Sequence, residues 1–253
     1  MSDLDLPALP TAAIARAAEV RRRISGLHVL TDARRGRDVL GVVTAAVMAG
    51  AQVVQVRAKG CGDRALYDFA RRVVEICLPQ GATCIVDDRV DIAMSVGAAG
   101  THLGAGDLPL AVARSLAGPD HLLGGTARTA GSAIELVEAG ADYLGAGPAY
   151  PTTTKTGLPP ALGPAGIAAV ASAVDVPVIA IGGITLAKIP PLLGTGALGV
   201  AVVSAVSDAP DPAAATRRLL AALAVTRPRT GPPSSTSGHG PEQVAHGGCR
   251  GEE

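Results

Sequence analysis

Between residues 26 and 225 a single unit recurs: a short β-branched run, then an alanine-rich run with helical spacing. The strand-like runs fall at 27–31, 53–57, 83–87, 100–103, 121–125, 143–147, 178–181 and 199–203. Helix-like runs follow at 38–49, 64–78, 90–96, 108–116, 132–139, 164–173, 186–193 and 211–224. Strands that alternate with helices lie parallel, because a parallel pair needs a long crossover between its members. Eight such units fit a (β/α)₈ barrel. The competing arrangement is a doubly wound open sheet. It would show about six strands and a glycine-rich fingerprint after the first. Here the first turn reads Thr31-Asp32-Ala33-Arg34. The expected fold is therefore α/β, a single (β/α)₈ TIM barrel.

The flanks differ. Residues 1–25 form an extension with a helix over 11–23, whose closing Arg21-Arg22-Arg23 suits the negative end of a helix. Residues 226–253 are rich in Gly, Pro and Ser and nearly free of large apolar side chains, so a disordered tail is expected. His239, His246 and Cys249 lie there in a spacing that matches no zinc pattern.

Composition narrows the function classes. The 253 residues are 48% hydrophobic, which excludes global disorder. Lys and Arg total 22, as do Asp and Glu, so the basic excess of a nucleic-acid binder is missing. Tyr67, Phe69, Tyr143 and Tyr150 are the aromatics, too few for a base-stacking platform. Cys61, Cys77, Cys84 and Cys249 form no C-x-x-C pair, so neither a zinc knuckle nor a redox dithiol is expected. The N-terminus shows no secretory pattern. The longest uncharged run, 189–207, is broken by Pro190, Pro191, Gly194, Gly196 and Gly199. A cytoplasmic enzyme that engages neither nucleic acid nor membrane is expected, with a homo-oligomer left open.

Barrel enzymes keep their chemistry at the C-terminal ends of the strands. The second strand runs into Gln55-Val56-Arg57-Ala58-Lys59, and period-two alternation puts Gln55, Arg57 and Lys59 on one face, an anion site. The third ends in Asp87-Asp88 and the fourth leads to Asp107. Asp88 and Asp107 either approach one Mg²⁺, which takes one or two carboxylates, or cap the following helices. The long loop after the sixth strand carries Thr152, Thr153, Thr154, Lys155 and Thr156, which can hold phosphate oxygens. The seventh strand ends in Gly182-Gly183 and the eighth in Val203-Ser204, where barrels commonly bind phosphate. Two anion sites at one mouth point to two phosphorylated substrates.

In order along the chain, these segments resemble the thiamine-phosphate synthases: Leu30-Thr31-Asp32, Gln55 to Lys59, Asp88-Arg89-Val90-Asp91, Thr101-His102-Leu103-Gly104 with Asp107-Leu108-Pro109, Gly140 to Gly145, Gly147-Pro148 with Pro151 to Lys155, Ile181 to Ile184, and Gly199 to Ser204. The resemblance implies a reaction. A pyrimidine diphosphate (4-amino-2-methyl-5-hydroxymethylpyrimidine diphosphate) loses pyrophosphate and is captured by the ring nitrogen of a thiazole phosphate, giving thiamine phosphate. It further implies that Gln55, Val56, Arg57, Ala58, Lys59, Asp87 and Thr126 bind the pyrimidine substrate and that Lys155 binds its pyrophosphate. Arg57, Lys59, Thr126 and Lys155 carry the catalysis, and Asp88 and Asp107 hold Mg²⁺ as cofactor. Thr152, Thr153, Thr154, Gly183, Val203 and Ser204 then bind the thiazole phosphate. The chain departs from the family pattern at Asp87 (usually Asn), Ala105 (usually Gln), Thr126 (usually Ser) and Arg128 (often His). Two alternatives carry different chemistry. A related thiazole tautomerase needs neither metal nor pyrophosphate site, and a phosphate-ligand sensor would not turn over.

Overall fold

A computed structural model describes residues 11–33, 37–154 and 157–224. Eight parallel strands close into a barrel in chain order. They are β1 (Gly26–Leu30), β2 (Val53–Val56), β3 (Thr83–Asp87), β4 (Gly100–Leu103), β5 (Leu122–Ala127), β6 (Tyr143–Ala146), β7 (Val178–Ile181) and β8 (Gly199–Val202). Closure is the pairing of β8 with β1, from Gly26↔Gly199 to Val29↔Val202. The helices are α1 (Thr11–Ile24), α2 (Val39–Met48), α3 (Asp63–Cys77), α4 (Val90–Ser95), α5 (Leu110–Ala117), α6 (Ala130–Glu138), α7 (Gly163–Ala171), α8 (Pro190–Leu193), α9 (Ser204–Ser207) and α10 (Pro212–Ala224). The barrel expectation holds. The helix expected over 186–193 is split into a 3₁₀ turn, Leu186–Lys188, and α8, because Pro190 and Pro191 cannot donate a backbone N–H to the preceding turn. The short α9 had no counterpart in the sequence pattern. The tail at 226–253 lies outside the described residues. Among those described, no helix is long and apolar enough to cross a membrane.

Alternation along the strands sorts the core into layers. Outward residues such as Val54, Val56, Cys84 and Val86 pack under the helices, where α3 presents Leu66, Ala70, Val73 and Cys77 at helical spacing. Inward residues Leu30, Val53, Ile85, Leu122, Tyr143 and Ile179 fill the barrel. Val20 and Ile24 of α1 join this inner cluster and close its N-terminal end. Burying Ile24 fully contributes about 2–3 kcal/mol. Below it, Asp142 receives Arg16 Nη2 at 3.1 Å, Arg114 Nη2 at 2.6 Å and the Leu123 N–H at 2.8 Å.

Two glycines make room for rings inside the barrel. A Cβ at Gly124 would lie 2.2 Å from Cζ of Tyr143, and one at Gly145 would lie 3.1 Å from Cε1 of His102. The space they leave lets polar rings occupy the floor of an open cavity.

Candidate active site

The C-terminal end of the barrel holds a cavity of about 550 Å³. Its wall over β2 to β4 is charged. Arg57 and Lys59 lie just beyond β2 and Gln55 lies within it, and all three line the cavity as alternation predicts. Thr31, directly after β1, holds this wall in place. Its hydroxyl accepts from the Arg57 N–H at 2.8 Å and donates to the Arg57 carbonyl at 2.9 Å.

Asp87 ends β3 and accepts a hydrogen bond from Gln55 Nε2, with Arg57 Nε 3.9 Å from its other oxygen. Burial pushes its carboxyl up to about 7, against the opposing Gln55 hydrogen bond. The backbone then turns sharply. Asp88 has φ 66°, a left-handed conformation that aspartate tolerates better than most residues, and its N–H reaches the His102 carbonyl at 2.9 Å. This turn aims the Asp88 carboxylate across the strand gap at Asp107. Lys59 Nζ sits 2.7 Å from Asp88 and 3.9 Å from Asp107. Burial, together with the contact to Asp107, holds Asp88 above its ordinary value despite the Lys59 ammonium. Burial also acts on Asp107, but hydrogen bonds from Asp88 and the Gly104 N–H outweigh it and hold Asp107 low.

Neither acid caps a helix. The N-cap residues of α4 and α5 are Arg89 and Pro109, and neither end has a side-chain cap. Two hard oxygen donors on one cavity wall suit Mg²⁺, which retains most of its waters. Among the described residues no group of three or more His, Cys, Asp or Glu side chains could hold a metal, so a fully protein-enclosed zinc-type site is not supported.

The opposite wall comes from the loops after β6, β7 and β8. Gly183, Val203 and Ser204 line the cavity, as do Thr152 and Thr154. Gly183 is constrained by the protein itself: at φ 65° its Cβ would lie 2.4 Å from the Pro151 carbonyl oxygen. Lys188 braces this contact, donating to the Gly183 carbonyl at 3.1 Å while its ammonium sits 4.9 Å from the Tyr150 ring centre. Arg128 braces the same loop through the carbonyls of Gly147 at 2.6 Å and Pro160 at 2.7 Å.

The profile of a family described as thiamine monophosphate synthase matches residues 27–206, the whole barrel from β1 to α9. The chain belongs to the thiamine monophosphate synthase family. A thiamine-phosphate synthase of Salinispora tropica is 56% identical over 200 residues, covering 78% of this chain and 96% of that protein. One from Salinibacter ruber is 42% identical over 208 residues, covering 81% and 92%. Among solved structures, a thiamine phosphate pyrophosphorylase from Pyrococcus furiosus superposes with a TM-score of 0.74 at 35% identity, over 81% of this chain and 98% of that one. A 3-hexulose-6-phosphate synthase, at 20% identity and a TM-score of 0.60, shares the fold.

Within this thiamine monophosphate synthase barrel, most of the residues singled out in the sequence converge on one cavity. Gln55, Arg57, Lys59, Asp87, Asp88, Asp107 and Thr126 line one side. The side chains of three others do not line the cavity. Val56 and Ala58 turn their side chains into the layer under α2 and α3, because residues on either side of Arg57 must face away from it. Thr153 is exposed and does not line the cavity, since the bend from Thr152 to Thr154 turns it outward. Lys155 lies outside the described residues. Sequence reasoning also passed over residues that shape the site: Thr31, His102, Tyr143 and Lys188. Three of these stand inside or beside motifs already noted, Leu30-Thr31-Asp32, Thr101-His102-Leu103-Gly104 and Asp142-Tyr143-Leu144. Their partners became visible only when the barrel closed.

Proposed function

We propose that this transferase-family chain joins the pyrimidine diphosphate to a thiazole phosphate, giving thiamine phosphate and pyrophosphate. The observation that supports it most is the union of two unlike anion sites in one cavity: a charged wall at β2–β4 and a glycine- and hydroxyl-lined wall at β6–β8. Arg57, Lys59 and Lys155 meet the diphosphate, and Gln55 and Asp87 flank the pyrimidine. The thiazole phosphate lies against Gly183, Val203, Ser204 and the hydroxyls of Thr152 and Thr154. The bond from the exocyclic carbon to the diphosphate oxygen breaks and its electron pair leaves with pyrophosphate. The thiazole nitrogen then supplies the pair for the new C–N bond. Holding both partners in one cavity turns a bimolecular encounter into a positioned one.

Asp88 and Asp107 are the residues that would hold Mg²⁺, whose charge would offset that growing on the departing pyrophosphate. Arg57 and Lys59 supply the chain's own cations to the same charge. The isomerase alternative gains nothing from Arg128, which is tied to two backbone carbonyls and offers no ring nitrogen for proton transfer. The cytoplasm is the proposed compartment.

Incubation with both substrates and Mg²⁺ tests this reading. Thiamine phosphate and pyrophosphate in equal amounts support it. A rearranged thiazole without pyrophosphate assigns the isomerase, and binding without turnover assigns the sensor.

A further inference from the structure

On the cavity floor three side chains from adjacent strands touch in a row: Tyr143 on β6, His102 on β4 and Thr126 on β5. The Tyr143 hydroxyl lies 3.2 Å from His102 Nδ1, and His102 Nε2 lies 2.9 Å from Thr126 Oγ1. Tyr143 is 1% exposed and Thr126 is exposed to the cavity, so the row runs from the protein interior to the substrate space.

The proton count along this row is determined by its buried end. A buried phenol must place its proton on an acceptor. Among the described residues, His102 Nδ1 is the acceptor recorded for Tyr143. His28, the other nearby ring, has Nε2 engaged with the Ile24 carbonyl at 2.6 Å, and its ring centre is 6.1 Å from that of Tyr143. A ring nitrogen that accepts a hydrogen bond carries no proton of its own, so the phenol's bond to Nδ1 leaves the ring a single proton. With Nδ1 accepting, that proton is on Nε2 and points at the Thr126 oxygen. The Thr126 hydroxyl is then left with its own proton to give.

We propose that Tyr143 and His102 are positioning residues that set Thr126 as a hydrogen-bond donor, so that the substrate atom it meets is an acceptor. A ring nitrogen or a phosphate oxygen qualifies. The inference rests on the synthase reading for the identity of the ligand. The hydrogen-bond row itself is independent of that reading.

The first test is a long-range ¹H–¹⁵N spectrum of the full chain labelled with ¹⁵N-histidine, with His102 assigned by its absence in His102→Gln. An Nε2–H signal at neutral pH is expected, and an Nδ1–H or doubly protonated ring overturns the proposal. Kinetics give the second. A glutamine amide can reproduce the Nε2 donor, whereas an asparagine amide stands nearer the Nδ1 position. His102→Asn should therefore lower kcat about tenfold, the worth of one hydrogen bond, with KM and melting temperature nearly unchanged. His102→Gln should restore kcat to within about threefold of the parent. In a Thr126→Val background, His102→Asn should cost nothing further, because the two act through one contact. Equal losses in the Gln and Asn variants, or losses that multiply with Thr126→Val, overturn it. The spectrum needs no turnover. A parent protein inactive with both substrates would thus sink the synthase reading, while an Nε2–H signal would still support the row.

Discussion

The two ends of the barrel use the same side chains to opposite effect. At the N-terminal end Asp142 is saturated, with two guanidinium groups and one backbone N–H closing on it. At the C-terminal end Asp87, Asp88 and Asp107 face Arg57, Lys59 and Gln55, with Lys59 shared between two of them and the Gly104 N–H on Asp107. The lower cluster joins α1 to the barrel and leaves no oxygen of the Asp142 carboxylate without a partner. The upper one keeps a carboxyl that burial raises to about 7 and a lysine with two claimants. Charge matched within the chain supports the fold, whereas charge left imperfectly matched in a cavity is available to a ligand.

Substitutions can break this contrast. Asp142→Ala should have the largest effect on stability, about 1–3 kcal/mol by urea unfolding, because it strands the Leu123 N–H and takes the carboxylate from two guanidinium groups, of which Arg114 keeps its carbonyl partners. Turnover per folded molecule should stay normal, and a stable but inactive variant would erase the distinction between the ends. Asp88→Ala or Asp107→Ala should do the reverse, lowering Mg²⁺-dependent turnover on the order of 10²–10³-fold with a small change in melting temperature. Since neither acid caps a helix, an early-melting variant with normal turnover would place the metal elsewhere.

The smallest effect sharpens the contrast through pH. Asp87 has a folded pKa raised to about 7, above its unfolded value, so the folded state binds the extra proton between the two. Its contribution is fully present below the unfolded pKa and is lost as pH rises through 7. Between pH 6 and 8 that loss amounts to roughly 1.4 kcal/mol. Asp87→Asn, which keeps the shape and removes the titration, should flatten this part of the stability profile. An unchanged slope in the variant would assign the pH dependence to another group.

How much of this was legible in the sequence follows from how local each feature is. The strand–helix repeat needs only neighbouring residues, and the barrel followed from it. Alternation likewise placed Gln55, Arg57 and Lys59 on one wall, and the same rule, carried one step further, excludes the side chains of Val56 and Ala58. The proline pair that splits the 186–193 helix was also readable. The Asp88 turn at φ 66° was not, because its direction depends on the His102 carbonyl of the next strand. The row from Tyr143 to Thr126 draws on three strands and on the space left by Gly124 and Gly145. Gly183 was read as glycine for a ligand's sake, yet its nearest neighbours are the carbonyls of Tyr150 and Pro151.

Among the described residues, the helix that closes the lower end leaves the barrel open at its C-terminal mouth. Val20 and Ile24 fill the floor beneath the rings, so nothing can drain through the back. Reactants and products must use the same entrance in turn. A spent molecule that lingers there therefore blocks every incoming one, and slow departure at that entrance would limit the whole cycle however fast the bonds are made.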